Sequence, residues 1–351
     1  MKRVCLFFVT VLVMSLLFSC RPFRIIEIET YNPSSITLPK EIKTVMIVNN
    51  SAQQPDNVGH RYESNTRGDS TMSVSADSMA YFFCMSLGKT LVESPIFNDV
   101  RICEDTLRRD SMFYSVELFA PDEVKSFCAD YGVDALISLD KLFYSTVFNE
   151  NTKTYFSVAN KSVYVQITGE LRILWPGQED VYAIPFVDSL SWYYDGNIYS
   201  EGAIEMVLEP DTKNAIYYLT ELTGQKMQVN IIPYWSEERR WYYTNIASEW
   251  KLGSAYTAAE KWEEAAKVWE SLFGKMKKWK QKARLASNLA LCYEMTSDFK
   301  KAIEYAEISY GIFKENTSED DGYLSIQQTY IDILKKRMEG EKMLSKQLGE
   351  S

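Results

Sequence analysis

The chain has 351 residues, 46% of them hydrophobic and 14% aromatic, with 38 basic against 48 acidic side chains and a net charge of −10. That length and apolar content exclude a disordered chain and allow two domains with separate cores. The acidic excess argues against nucleic acid as a partner, because binding to phosphates is carried by a surplus of Lys and Arg.

Lys2 and Arg3, the apolar run Val4 to Phe18 and then Ser19-Cys20 read as an export leader: a basic start, an apolar middle too short for a mature span, and a small residue before the cut. Leu17-Phe18-Ser19-Cys20 resembles a bacterial lipobox. The resemblance implies that residues 1–19 are a lipoprotein signal peptide and that Cys20 is acylated as the first mature residue. Beyond it lie Cys84, Cys103, Cys128 and Cys292, without a C-x-x-C pair. They are expected as buried thiols rather than as a zinc or redox site.

Residues 20–232 are predicted to form an α/β or α+β domain with a mixed sheet. Phe23 to Thr30 alternates, with Ile26 and Ile28 on one face, as a half-buried strand does. Only Arg21 and Pro22 separate it from Cys20, a tether of about 10 Å at ~3.5 Å per residue, which predicts a domain lying against the bilayer. Ile42 to Val48 reads as a strand buried on both faces. Asn49 to Ser73, with the only histidine, His60, is predicted as a long loop, functional or disordered. A helix over 75–93, a strand over 100–104, a helix from Pro121 to Asp130 closed by Gly132, and a strand over 134–140 follow. That alternation predicts parallel pairing through crossovers. Runs over 142–148, 162–174 and 181–193, separated by turn residues at 149–151 and 176–178, predict an antiparallel meander. A helix over about 202–222 and a strand over 228–232 close the domain.

Pro233 marks the boundary of an all-helical domain, 233–351. Ser236-Glu237-Glu238 reads as a helix start, giving a first helix over about 237–257 whose Trp241, Tyr242 and Tyr243 would splint the domains. Helices over 261–279, 281–296 and 299–314 follow, and the acidic turn 318–321 precedes a capping helix to about Lys346. Leu252, Gly253, Tyr256, Trp262, Ala265 and Trp269 recur 37 residues later as Leu289, Ala290, Tyr293, Phe299, Ala302 and Ala306, with Ile326 and Tyr330 as a partial third copy. This pattern resembles the tetratricopeptide repeat, which implies a protein-binding module. In that family the first helix of each repeat lines a concave groove. The inward positions correspond here to Trp250 and Ser254, then to Arg284, Ser287, Leu291 and Glu294, and to Gln328 in the cap. These are the candidate partner-binding residues. Trp250 and Arg284 are of the types that dominate interfaces, while Trp250 reads equally well as buried packing.

No catalytic residue, metal site or cofactor is expected. His60 is the single histidine, so no His-assisted nucleophile pair and no H-E-x-x-H can be built around a second one. Phosphate-cradling glycine motifs are absent from the sequence, and a carboxylate pair has no spacing signature to identify it. The chain is therefore read as a non-enzyme. The basic run from Lys275 to Arg284 around Trp279 fits a solvated turn better than an anionic contact. Trp192, Tyr193, Tyr194, Trp235, Trp241, Tyr242 and Tyr243 could stack on sugar, but a domain interface explains them more simply.

Together, the lipobox, the opening strands, the strand-rich middle and the paired repeats resemble an uncharacterised family of Bacteroidetes lipoproteins. Cys128 to Ile137, as helix end, turn and strand, is similar to the α/β domain of curli-secretion-type lipoproteins. The resemblance implies architecture and address and carries no activity; the chain is expected to be a lipid-anchored outer-membrane protein, facing the periplasm, that presents a helical array to an unknown envelope protein. The alternative is a glycan-binding outer-membrane lipoprotein.

Overall fold

The computed structural model describes residues 23–65, 68–108, 110, 112–153, 158–179, 181–196, 201–318 and 322–349. The leader and Cys20 lie outside the described residues, as do Glu319, Asp320 and Asp321 of the acidic turn. The chain divides into two units, Ser34–Tyr234 and Met1–Pro33 with Trp235–Ser351.

The first unit is built on a seven-stranded mixed sheet. Its strands are β2 (Thr44–Asn49), β3 (His60–Ser64), β4 (Ser70–Thr71), β5 (Asp99–Thr106), β6 (Ala135–Lys153), β7 (Val158–Leu174) and β8 (Tyr182–Gly196). Helices α1 (Met79–Val92), α2 (Pro121–Tyr131) and α3 (Glu201–Lys226) complete it. β2 lies between β5 and the first part of β6, parallel to both. The long β6 uses its second part to pair with β3 and its other edge to pair with β7, which pairs antiparallel with β8.

Val45 to Val48 of β2 are apolar because both faces of the strand are covered. Val45 and Ile47 enter one core with Phe83, Leu87 and Leu91 of α1 and Ile216 and Leu219 of α3. Met46 and Val48 enter a second core with Val124 and Cys128 of α2. Each such fully buried aliphatic side chain stabilises the fold by roughly 1.5–3 kcal/mol. Pro121 opens α2, and Gly132 closes it at φ 61°, a left-handed conformation that glycine adopts without steric cost.

The second unit pairs β1 (Phe23–Asn32) with β9 (Tyr234–Tyr243) as a two-stranded ribbon and adds five helices. These are α4 (Ser248–Ala258), α5 (Trp262–Lys275), α6 (Trp279–Met295), α7 (Phe299–Asn316) and α8 (Gly322–Leu348). Thr30 bonds Ser236 and Glu27 pairs with Arg239, so partners advance in opposite directions along the strands, as in antiparallel pairing. Each helix packs on the next in sequence. The recurring small residues sit where helices approach closely: a Cβ on Gly253 would lie 2.6 Å from the Trp269 ring. Ala265, Trp269, Leu285, Leu289 and Cys292 share one cluster, and Ala290, Ala302, Ala306, Tyr330 and Leu334 another. Leu252 is 49% exposed although its repeat equivalent Leu289 is fully buried. It lies on the first helix of the array, whereas Leu289 is on a helix with neighbours before and after it.

Several sequence expectations need correction. Residues 234–243 form a strand, not the start of a helix; their burial alternates from Tyr234 to Arg239, and the pairing with β1 outweighs the helix-start signal of Ser236-Glu237-Glu238. β1, expected in the first domain, belongs to the helical unit for the same reason. Residues 228–232, expected as a strand, lie largely in a 3-10 turn, Met227–Asn230. The predicted loop over 49–73 contains β3 and β4, which the passing edge of β6 recruits. Runs 134–140 and 142–148 are one strand with a register shift between Leu139 and Lys141.

Candidate functional site

Of the predicted partner-binding residues, Arg284 and Glu294 meet a strand of the same chain, β9, within the helical unit, and Trp250 shares a cluster with Tyr243 at the end of that strand. The Tyr243 N–H donates to Asn288 Oδ1 at 2.6 Å, and Asn288 Nδ2 donates to the Tyr243 carbonyl at 2.9 Å. One carboxamide thus satisfies both backbone groups that the strand end presents to α6. Arg284 places its guanidinium 5.3 Å from the centre of the Tyr243 ring, and Gln327 Nε2 donates to the Tyr243 hydroxyl at 3.3 Å. Burial pushes the Tyr243 phenol up to about 12.

Nearly two turns beyond Asn288 on α6, Glu294 is fully buried and receives Arg240 of β9 through Nε and a terminal nitrogen. Tyr330 donates its hydroxyl to the same carboxylate at 2.7 Å, and Arg337 adds a second guanidinium. Burial, and then the Glu294 charge, raise the Tyr330 phenol well above its ordinary value.

Ser287 and Leu291 are each 1% exposed, and Ser254 is 9% exposed. Trp250 is 2% exposed and packs edge-on against Trp269 at 5.5 Å between centroids. Gln328 faces solvent and bonds Asp332. Of the aromatic residues, Tyr242 and Tyr243 are buried, and Trp241 packs on Tyr330 at 5.2 Å. Trp235 is 66% exposed, 4.9 Å from the Tyr31 ring. The side chains of Trp192, Tyr193 and Tyr194 lie outside the described residues.

A second site went unnoticed in the sequence. The sheet unit has a cleft of about 600 Å³ at the carboxyl ends of β2 and β5, lined among others by Asn49, Gln53, Ser78, Tyr81, Glu104 and Arg108. From β2 the chain first forms β3 and β4 beyond β6, then passes to β5 on the opposite side of β2 and finally returns to β6, with α1 over one face and α2 over the other. Open α/β sheets bind ligands at such a reversal point. Asn49 bonds Thr106 and accepts from the Ser51 backbone and hydroxyl. Arg108, although in the lining, spends its donors on Asp110, the Met112 and Ser115 carbonyls and the Ser115 hydroxyl. The Met112 N–H, and then Arg108, hold the Asp110 carboxyl below its ordinary range. With its guanidinium so engaged, the cleft offers carboxamides, hydroxyls and one exposed phenol beside the carboxylates of Glu104 and Asp110, which suit a polar hydroxylated ligand better than an anion. The sequence carried a signal for it in the alternation of strands and helices followed by Asn49-Asn50-Ser51.

His60 is a core residue. Its ring is buried, with Nδ1 3.0 Å from Thr146 Oγ1 and Nε2 3.4 Å from Gln54 Nε2, and burial lowers its pKa. Cys84, Cys128 and Cys292 are buried free thiols, and Cys103 is half-buried. Among the described residues, no group of three or more His, Cys, Asp or Glu is placed to hold a metal ion.

A family model described as "Domain of unknown function (DUF8603)" matches residues 42–243, more than half of the chain. A second, "Domain of unknown function (DUF6340)", matches residues 251–336, within the helical unit. No curated protein matches. Among solved structures, a minor lipoprotein from Acinetobacter baumannii is similar at 9% identity and a TM-score of 0.25, over 56% of this chain and 97% of its own. A DUF330 protein from Xanthomonas campestris is similar at 9% identity and a TM-score of 0.19, over 56% and 96%.

Proposed function

The chain belongs to the family described as "Domain of unknown function (DUF8603)", and from that premise we propose that it is a non-catalytic, lipid-anchored protein of a bacterial cell envelope, an adaptor or assembly factor that holds a protein partner. The observation that carries this reading is the contact of Asn288 with Tyr243. A carboxamide that grips one residue through both its backbone N–H and its C=O reads backbone rather than side chain, the chemistry by which a groove accepts an extended segment. The helical unit is thus built around the recognition of an extended strand, with β9 as its internal occupant.

The 37-residue recurrence and the sequential helix packing support a tetratricopeptide-like array. The lipobox and the resemblance to Bacteroidetes lipoproteins support an outer-membrane anchor at Cys20 and a periplasmic face. No helix among the described residues is long and apolar enough to cross a membrane. Affinity capture from detergent-solubilised envelopes tests the adaptor reading. The expected result is one protein retained in fixed proportion, with less retained by Gln328→Arg, which alters the one exposed predicted position without touching the core. Failure to retain any protein counts against it.

A second reading, glycan binding, is favoured by the cleft beside Asn49 and Tyr81. Retention of polysaccharide alone, abolished by Tyr81→Ala, would select it.

A further inference from the structure

The segment that leaves β2 is fastened to β6 before any ligand arrives. Gln54 Nε2 donates to the Tyr144 carbonyl at 2.8 Å, and Gln54 Oε1 accepts from the Tyr144 N–H at 2.7 Å. Asn50 Nδ2 donates to the buried Asp140 at 3.0 Å. Gln53 stands between these two anchors and lines the cleft of about 600 Å³ described above, a volume within the range of small-molecule sites. A wall held in place by the fold binds a ligand without the entropic cost of ordering it.

The strongest polar group left free on this cleft is an acceptor. The Arg108 guanidinium is engaged by Asp110, Ser115 and the Met112 carbonyl. Glu104, also in the lining, has an exposed side chain and neither a hydrogen bond nor an ion pair among the described residues. A ligand that uses it brings hydrogen-bond donors and no negative charge.

Tyr81 links the cleft to an aromatic surface. Its ring meets Phe82 edge-on at 5.9 Å between centroids, and Phe82 meets Tyr217 of α3 edge-on at 4.8 Å. Tyr81 and Tyr217 are each 37% exposed, so these contacts make one ledge open to solvent. A pyranose ring presents C–H groups on its face and hydroxyls round its edge, the two kinds of group that a ledge of rings and a free carboxylate complement. A cationic peptide would use Glu104 but leave the carboxamides and hydroxyls of the lining without partners. We propose that the cleft and this ledge hold a linear, neutral oligosaccharide: one sugar unit gives its hydroxyls to Glu104 and covers Tyr81, and a following unit packs on Tyr217. The proposal rests on the glycan reading of the cleft and adds to it a second subsite, the accepting carboxylate and the rejection of acidic sugars.

The test is calorimetric titration of the full-length protein in detergent. The probes are linear neutral hexasaccharides of glucose, mannose, galactose, xylose and N-acetylglucosamine, with hexagalacturonate and hexalysine as charged controls. The expected result is at least one neutral hexasaccharide bound one to one with a Kd below about 1 mM, and hexagalacturonate bound at least about tenfold more weakly. Tyr217→Ala should weaken the neutral ligand about three- to tenfold, the scale of one aromatic contact. Glu104→Gln should weaken it by about tenfold, the scale of a hydrogen bond to a charged group. Tyr218, next to Tyr217 and 55% exposed, makes no ring contact among the described residues, so Tyr218→Ala should bind as the wild type does. Binding that Tyr217→Ala or Glu104→Gln leaves unchanged overturns this proposal; if Tyr81→Ala still abolishes it, the glycan reading stands. Hexagalacturonate bound as tightly as the neutral ligand also overturns this proposal alone. No neutral hexasaccharide bound, or hexalysine bound in their place, overturns the proposal and the glycan reading together.

Discussion

Arg240 on β9 and Glu294 on α6 form a buried ion pair in which Nε and a terminal nitrogen lie 3.0 and 2.9 Å from the same carboxylate oxygen. The side chains are 2% and 0% exposed. Removing Arg240 leaves the buried Glu294 carboxylate with Arg337 and the Tyr330 hydroxyl as its remaining partners, in a medium that solvates charge poorly. Arg240→Ala is expected to lower the unfolding free energy by about 3–5 kcal/mol. Arg240→Met with Glu294→Leu should cost less than the sum of those two single changes, because the Arg240–Glu294 contact is counted in both, although Arg337 and Tyr330 lose Glu294 in either background. Urea denaturation of the four proteins of this cycle checks it, and strictly additive losses would mean that the two side chains are not coupled.

Asn288 serves two backbone groups at once. Asn288→Ala leaves the Tyr243 N–H and C=O buried without that partner, at about 1–3 kcal/mol for each stranded group. The expected readout is local: hydrogen exchange at the Tyr243 amide accelerates more than at amides of β2, in the other unit. A uniform acceleration across both units would contradict a role confined to the strand contact.

His60 sets a pH dependence of stability in the sheet unit. Burial lowers its pKa below 6.5, so the fold favours the neutral ring. Above the unfolded value this has no cost. Below about 6.5 the unfolded chain takes up a proton that the folded chain resists, and stability falls as pH drops through the lower folded value. His60→Gln removes this component, so its melting temperature should fall less than that of the wild type between pH 7 and pH 5. Parallel curves for the two proteins would show that the ring contributes no proton linkage.

The thiols are graded by burial. Burial pushes Cys84 and Cys292 up to about 12 and Cys128 up to about 11, from an ordinary value of 9.0. Cys103 is half-buried and should react first with a thiol reagent in the native protein, with the other three reacting at the rate of unfolding. For the buried thiols the protonated form is favoured in the fold. Their contribution is therefore complete below the ordinary value and is lost as pH rises through the folded ones. Equal reaction rates for all four thiols at neutral pH would refute the burial order.

Trp250 tests the packing of the helical unit. Its ring fills the space beside Trp269 and is 2% exposed. Trp250→Ala is expected to cost about 3–5 kcal/mol, the range for emptying a buried aromatic site. Thermal unfolding measures it, and a loss below about 1 kcal/mol, the scale of a surface substitution, would mean that the site collapses freely or is not closely packed.

Local pattern alone determined much of this protein. The continuous apolar run of β2, Pro121 and Gly132 at the ends of α2, the three β-rich runs of the meander and helices α5 to α8 follow from short-range periodicity and turn chemistry, although Asn149-Glu150-Asn151, expected as a turn, continues β6. The recurrence of Gly253 and Ala290, 37 residues apart, marked close helix crossings before any contact was known. Tertiary structure decided the rest, because partners distant in sequence outweigh local preference. Trp235 to Tyr243 carries a helix-start signal, yet β1, more than 200 residues away, makes it a strand. His60 to Ser64 is polar enough for a loop, yet the open edge of β6 orders it as β3. Repeat register placed Ser287, Leu291 and Glu294 on the inner face of the array, but only the structure shows that β9 fills it. The cleft at the end of β2 was hidden for a related reason. Its walls come from four separated segments, and the polar run after β2 becomes a wall only when the parallel strands bring their carboxyl ends together.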